Sequence, residues 1–286
     1  MDIFIIFQIP KANLIRSMKP MLHKNQVAIF FLLVFIISWS LIYVIFGSDG
    51  IPATKEQQEI IGMTILLGPS IAGLLLLFIY DKLQGLKHLL ARLIKLNVNI
   101  KWYLVALLTA PLTTFAGLVV FSLFFENVQP NYMTADDFVS ILMLGTIGGL
   151  FVALFEEIGW TGFAIPRLLR NHGILYTGLI VGIIWGAWHL ILFWEDNSFT
   201  ELVPFLLLIA RLFSWLPAYR ILMVWLYKNT KSLFLVILMH LALVVSLAVI
   251  DPLLYGKELL AYILIRAVIL WIIVAIMSLV ASKSVR

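Results

Sequence analysis

The chain has 286 residues, 63% hydrophobic and 12% charged, with a mean hydropathy of +1.06. So few polar groups cannot cover a water-soluble domain of this size, and the composition is that of a polytopic membrane protein. The formal charge of +5 comes with no basic-aromatic stripe that would track nucleic acid, and the absence of cysteine excludes disulfides, a thiol nucleophile and cysteine-ligated metal.

A helix needs roughly 20 apolar residues to cross the hydrocarbon core. In chain order the predicted spans are 27–46, 60–80, 102–125, 138–162, 175–194, 202–226, 232–250 and 259–280. The apolar stretch "IFIIF" before them is too short for a signal-peptide core, so the first span reads as an uncleaved anchor. Residues 82–97, "KLQGLKHLLARLIKLN", place leucines at helical spacing between Lys and Arg. They read either as an amphipathic helix lying on the membrane surface or as an extension of the second span. No linker, low-complexity tract or repeat divides the chain. The expectation is one all-α membrane domain over 1–286, a polytopic bundle of about eight transmembrane helices with a buried polar site, its motifs gathered in 130–250.

The connections alternate in charge. Lys11, Arg16, Lys19 and Lys24, then Lys82 to Lys101, Arg167 and Arg170, Lys228 and Lys231, and Lys283 and Arg286 fall on one side of an eight-span chain. The other side has Lys55 and Lys257 but collects acids, among them Asp49, Glu126, Asp137, Glu195 and Asp251. The excess of basic residues predicts a multi-pass protein of the cell membrane with both termini cytoplasmic, in contact with the lipid bilayer and with no nucleic-acid partner.

Ionisable groups inside the spans are the informative ones, because each costs roughly 2.5–3.5 kcal/mol at a helix centre. They are Glu156 and Glu157 on the fourth span, His189 on the fifth, Arg211 and Arg220 on the sixth, His240 on the seventh and Arg266 on the eighth. At 1.5 Å per residue, Glu156 lies about 15 Å, His240 about 12 Å and His189 about 21 Å from the inner ends of their spans. Two carboxylates and two imidazoles at compatible depth could hold a metal or activate a water. The bland alternatives are interhelical hydrogen bonds for the histidines and neutralisation of an arginine by the glutamates. The chain has no HExxH, no GxSG and no GxGD, so a glutamate base with histidine helpers is what remains for hydrolysis.

"EEIGWTGFAIPRLL" at 156–169 closely resembles the glutamate-pair motif of the CPBP (CAAX protease and bacteriocin-processing, or Abi) family. "WGAWHL", from Trp185 to His189, resembles that family's aromatic-and-histidine motif. "WLYKNTKSLFLVILMH", ending at His240, and "LLGPSIAGLL" at 66–75 are similar to two more of its segments. The likeness covers about 60–280. It implies an intramembrane endopeptidase resembling CAAX prenyl protease type 2, acting on a peptide or protein substrate at the membrane. Glu156 would be the general base, with Glu157 as its structural neighbour. His189 and His240 would stabilise the oxyanion or, with Glu156, hold a divalent metal such as zinc.

Two positions depart from the family pattern. Thr161 stands where Arg is common and Val244 where Asn is common. Glu157 and residue 161 are at the salt-bridge spacing of a helix, and Thr161 cannot neutralise Glu157. Arg220, at similar depth, or else Arg167, is expected to take that role. Rival readings are a catalytically silent relative acting as a membrane scaffold or bacteriocin-immunity protein, and a transporter in which the Glu pair relays protons.

Overall fold

The computed structural model describes residues 25–47, 54–126, 128–134 and 137–283. The N-terminal basic segment and the stretch "IFIIF" lie outside the described residues, whereas the first span, read as the anchor, is among them. Those described form helices and connecting turns and no strand.

Helix α1 is Gln26–Phe46. Next come α2 (Lys55–Ile65), α3 (Leu67–Leu93) and α4 (Ile100–Ser122). Helix α5 (Phe138–Gly159) continues through a π-helical turn, Trp160–Ala164, into Ile165–Leu168. Helix α6 (Ile174–Trp188) ends just before His189. Helix α7 (Leu202–Ile209) passes through a second π-helical turn, Ala210–Ser214, into α8 (Leu216–Thr230). Helices α9 (Leu233–Val249) and α10 (Gly256–Lys283) complete the bundle.

Six stretches are long and apolar enough to cross a membrane, and α6 and α9 are shorter apolar helices. All eight predicted spans are therefore helical, and the chain is an all-α, multi-pass membrane protein. Large apolar side chains such as Leu32, Val44, Leu112, Leu144 and Val268 are exposed along the spans, as lipid-facing positions require.

Two elements differ from expectation. Helix α2 starts at Lys55, ahead of the expected start of the second span at residue 60, and ends at Ile65 within it. It starts at a reciprocal capping box in which Gln57 N–H donates to the Thr54 hydroxyl and Thr54 N–H to the Gln57 side chain. The second span runs on to Leu93 instead of stopping near 80, but its helix breaks at Lys82 (φ 54°, ψ −149°). The piece after the break is the predicted amphipathic segment, with Leu83 and Leu90 exposed and Gly85 and Leu89 buried.

In the bundle α6 runs along α8, α9 packs against α5 and α4, α3 joins α1 to α5, and α10 lies on α4. Lipid gives helices no hydrophobic reason to associate, so close packing must supply the attraction. Gly178, Gly182 and Gly186 recur every fourth residue along α6; a Cβ at Gly182 would lie 2.5 Å from Pro217 Cα on α8. At the crossing of α3 and α5, a Cβ at Gly159 would lie 2.2 Å from the Pro69 carbonyl oxygen.

Prolines within helices leave the carbonyl four residues earlier without its N–H partner. For Pro69 that carbonyl is Ile65, which accepts instead from Ser38 Oγ at 2.7 Å. For Pro166 it is Gly162, which accepts from Arg92 Nη2 at 2.8 Å. Both substitutions tie neighbouring helices to the elements that carry the polar site.

Candidate active site

Adjacent residues on a helix point about 100° apart, and the last turn of α5 uses that angle to separate its two carboxylates. Both side chains are buried, at 1% exposure for Glu156 and 0% for Glu157. Glu156 lines a cavity of about 280 Å³, together with Trp185, His189, His240 and Val244. Glu157 does not line it. The Glu156 Oε2 accepts a hydrogen bond from Trp185 Nε1 at 2.6 Å, and its Oε1 lies 3.9 Å from His189 Nε2. The Glu157 Oε1 accepts from Arg220 Nη1 at 2.7 Å and from His240 Nδ1 at 3.0 Å, while its Oε2 accepts from the Thr161 hydroxyl.

Local structure places each partner. The π-helical turn brings Thr161 under Glu157; such one-turn widenings recur at functional positions. Arg220 reaches the carboxylate from α8 because α6 is thin where it passes: a Cβ at Gly182 would come within 3.2 Å of Arg220 Cβ. Its guanidinium also lies 4.0 Å from the centre of the Trp185 ring, a cation–π contact. Trp185 thus touches both halves of the site, donating to Glu156 and stacking on the cation that serves Glu157. Behind Glu156, Ser70 Oγ donates to the Phe155 carbonyl at 2.5 Å and pins α5 to α3.

The imidazole hydrogens follow from the acceptors. His189 Nδ1 lies 2.7 Å from the Trp185 carbonyl oxygen and His240 Nδ1 lies against the Glu157 carboxylate, so each Nδ1 carries the hydrogen. In its neutral form each ring then keeps a lone pair on Nε2. The His189 Nε2 and the Glu156 Oε1 are two acceptors facing each other beyond hydrogen-bond range, a gap that a shared donor such as water can bridge.

Nδ1 hydrogens held by a carbonyl and a carboxylate are what metal-ligating histidines often show. Convergence is lacking. Among the described residues no three His, Asp or Glu side chains gather at metal-binding range. His240 is turned to Glu157, and one Glu156 oxygen is committed to Trp185. As they stand these residues do not fit a metal.

Arg167, Arg211 and Arg266 are paired elsewhere. Arg167 is held by Asp81 and by Gln26, so Arg220 and not Arg167 is the cation beside Glu157. Arg211 pairs with Glu195 at 3.1 Å, and Arg266 with Asp251 at 2.8 Å. Arg211, Arg266 and Asp251 border the same cavity as Glu156, together with the apolar Phe193, Trp215 and Leu243. Thr161 supplies no charge, yet it donates to the carboxylate that the family's Arg would meet. The sequence marks Trp185 only as a motif aromatic, because helical spacing cannot reveal which face its indole N–H meets.

Comparison with known proteins bears on the same segment. Residues 138–246 match the family model described as Rce1-like, type II CAAX prenyl endopeptidase Rce1-like. The chain is also 24% identical over 234 residues to CAAX prenyl protease 2 of Methanococcus maripaludis, covering 76% of this chain and 82% of that protein. Both likenesses support the CPBP resemblance carried by the motifs.

Proposed function

We propose that this protein, a CPBP-family membrane protein of the Rce1-like kind, is an intramembrane endopeptidase in which Glu156 activates water. One observation carries the reading: of two buried neighbouring carboxylates, one faces a cavity beside two imidazoles and the other is fully engaged by protein donors.

In this reading a water between Glu156 Oε1 and His189 Nε2 loses a proton to Glu156 as its oxygen attacks the peptide carbonyl. Trp185 holds the other Glu156 oxygen and so fixes which one faces the water. Either histidine can donate to the developing oxyanion from Nε2 only as imidazolium, because its Nδ1 hydrogen is already committed. His240 suits that role better, since Glu157 is a carboxylate and the His189 partner is a neutral carbonyl. Glu156 then returns its proton to the departing amine as the C–N bond breaks. Glu157, Arg220 and Thr161 position His240 and do not touch substrate. The apolar wall of the cavity suits a substrate segment with apolar side chains, and the archaeal relative's name points to a prenylated peptide.

The test is cleavage of a farnesylated peptide ending in a CAAX sequence by the full chain in lipid nanodiscs. Cleavage that disappears in Glu156→Ala and survives chelators supports the reading. Loss of cleavage on chelation, with recovery on added zinc, would overturn the metal-free mechanism and make Glu156, His189 and His240 the candidate ligands. No cleavage of any peptide by a well-folded chain would favour the silent relative, a reading that Val244 supports by offering the cavity no donor.

A further inference from the structure

We infer that the basic end of the bundle carries a site for the phosphate headgroup of an anionic phospholipid, separate from the cavity of Glu156. It lies where the kinked second half of α3 meets the end of the fourth span. A recess of about 370 Å³ is lined there by Arg92, Arg167, Arg170 and His88, with Asp81 as its single acid. Three guanidinium charges face one carboxylate.

The acid is already used. Asp81 pairs with Arg167, so the charges of Arg92 and Arg170 are left over. Arg92 directs its donors to neutral acceptors only: the His88 carbonyl at 3.1 Å, the Tyr227 hydroxyl at 2.9 Å and the Gly162 carbonyl at 2.8 Å. These bonds fix the guanidinium and leave its charge uncompensated. Arg170 is exposed and makes no ion pair among the described residues. Planar guanidinium groups suit the paired non-bridging oxygens of a phosphodiester.

The surroundings select a lipid over a free phosphate. The helix after Lys82 exposes Leu83 at 64% and Leu90 at 57% on the face opposite Gly85, His88 and Arg92, which line the recess. An amphipathic helix of this kind sits at the boundary between headgroups and acyl chains. Other basic residues reach the same end of the bundle: Ser232 Oγ donates to the Lys95 carbonyl at 2.8 Å, and Lys228 and Lys231 flank that turn. Basic recesses between helices at headgroup level are the expected form of such sites.

The experiment titrates the detergent-purified full chain with dioctanoyl phosphatidylglycerol, dioctanoyl phosphatidylcholine and inorganic phosphate, reading tryptophan fluorescence and thermal melting. Saturable binding of phosphatidylglycerol is expected, with phosphatidylcholine and phosphate inert at the same concentration. Arg170→Gln, at an exposed position, should weaken binding about fivefold, from about 1 kcal/mol per basic residue at an anionic surface. Lys228→Gln, at the same end but outside the recess, should bind as wild type. Arg92→Gln should weaken binding as well; if it fails to fold, Arg170→Gln decides. Equal binding of both lipids, equal binding of inorganic phosphate, or wild-type affinity in Arg170→Gln would each overturn the site. Peptide cleavage is not the readout, so the result stands apart from the proposed protease activity.

Discussion

Glu156 and Glu157 are neighbours in sequence, equally buried, and surrounded in opposite ways. Around Glu157 three side chains donate to both carboxylate oxygens, with a guanidinium among them. Around Glu156 one oxygen is held by an indole and the other borders a cavity. Burial alone therefore does not distinguish the two carboxylates. Glu157 meets the cost of a buried charge inside the protein, with opposite charge and hydrogen bonds. Glu156 leaves part of its demand unmet, and a ligand can meet it.

The largest expected effect tests that contrast directly. Glu156→Gln keeps the size of the side chain and removes the base, so cleavage should fall by about 10²–10⁴, the usual range for a general base. Its melting in detergent should stay near wild type. Initial rates and melting curves, measured beside Glu157→Gln, check this. A stable, inactive Glu157→Gln together with an active Glu156→Gln would reverse the assignment.

Next is the closed half. Arg220→Met leaves Glu157 buried without its cation, and breaking a buried pair from one side costs about 3–5 kcal/mol. Glu157→Leu should cost a similar amount by stranding Arg220. The double variant Arg220→Met/Glu157→Leu removes both charges and should regain much of the lost stability, since apolar replacements of a buried pair are often neutral. Chemical denaturation of the three proteins provides the cycle. Additive losses in the double variant would mean that the pair is not coupled.

Thr161 belongs to the same half with a smaller share. Its hydroxyl donates to a carboxylate, and a hydrogen bond to a charged group contributes about 1.5–3 kcal/mol. Thr161→Val should lower stability by that amount and leave the pH profile of cleavage in place, because Glu156 is not its partner. A shifted profile would show that Thr161 reaches the reacting groups.

How much of this the sequence discloses depends on the kind of information. Span number and position follow from apolar run length, which needs no knowledge of neighbours. Arg220 as the partner of Glu157 follows from depth alone, because an isolated charge at that depth is too costly to leave unpaired. Three features stay hidden. The break at Lys82 is a backbone conformation that no glycine or proline announces. The approach of His240 Nδ1 to Glu157 depends on the rotation of α9 against α5, and depth says nothing about rotation. The Trp185 bond to Glu156 needs the close approach of α6. By contrast, the capping box that starts α2 is legible as Thr54 and Gln57 three residues apart.

The smallest expected effect concerns a missing donor. Val244 follows His240 by four residues, so it lies one turn along the same face of α9, and it lines the cavity. It presents only methyl groups where the family pattern commonly has Asn. Space there is limited but not closed: a Cβ at Gly149 on α5 would meet Val244 Cβ and Cγ1 at 3.1 Å, so the two helices already touch. Asparagine is unbranched at Cβ and can turn its amide toward the cavity without pressing on Gly149. A tuned oxyanion donor contributes about 10²–10³ in rate, and one added without tuning should give about tenfold. Val244→Asn should therefore raise kcat with little change in KM, whereas Val244→Leu, which fills space without a donor, should not. The rise should vanish in the Glu156→Gln background, where no hydroxide forms. If Val244→Asn folds as wild type and cleaves no faster, the oxyanion is served from elsewhere, and His240, held by Glu157, becomes the donor to vary next.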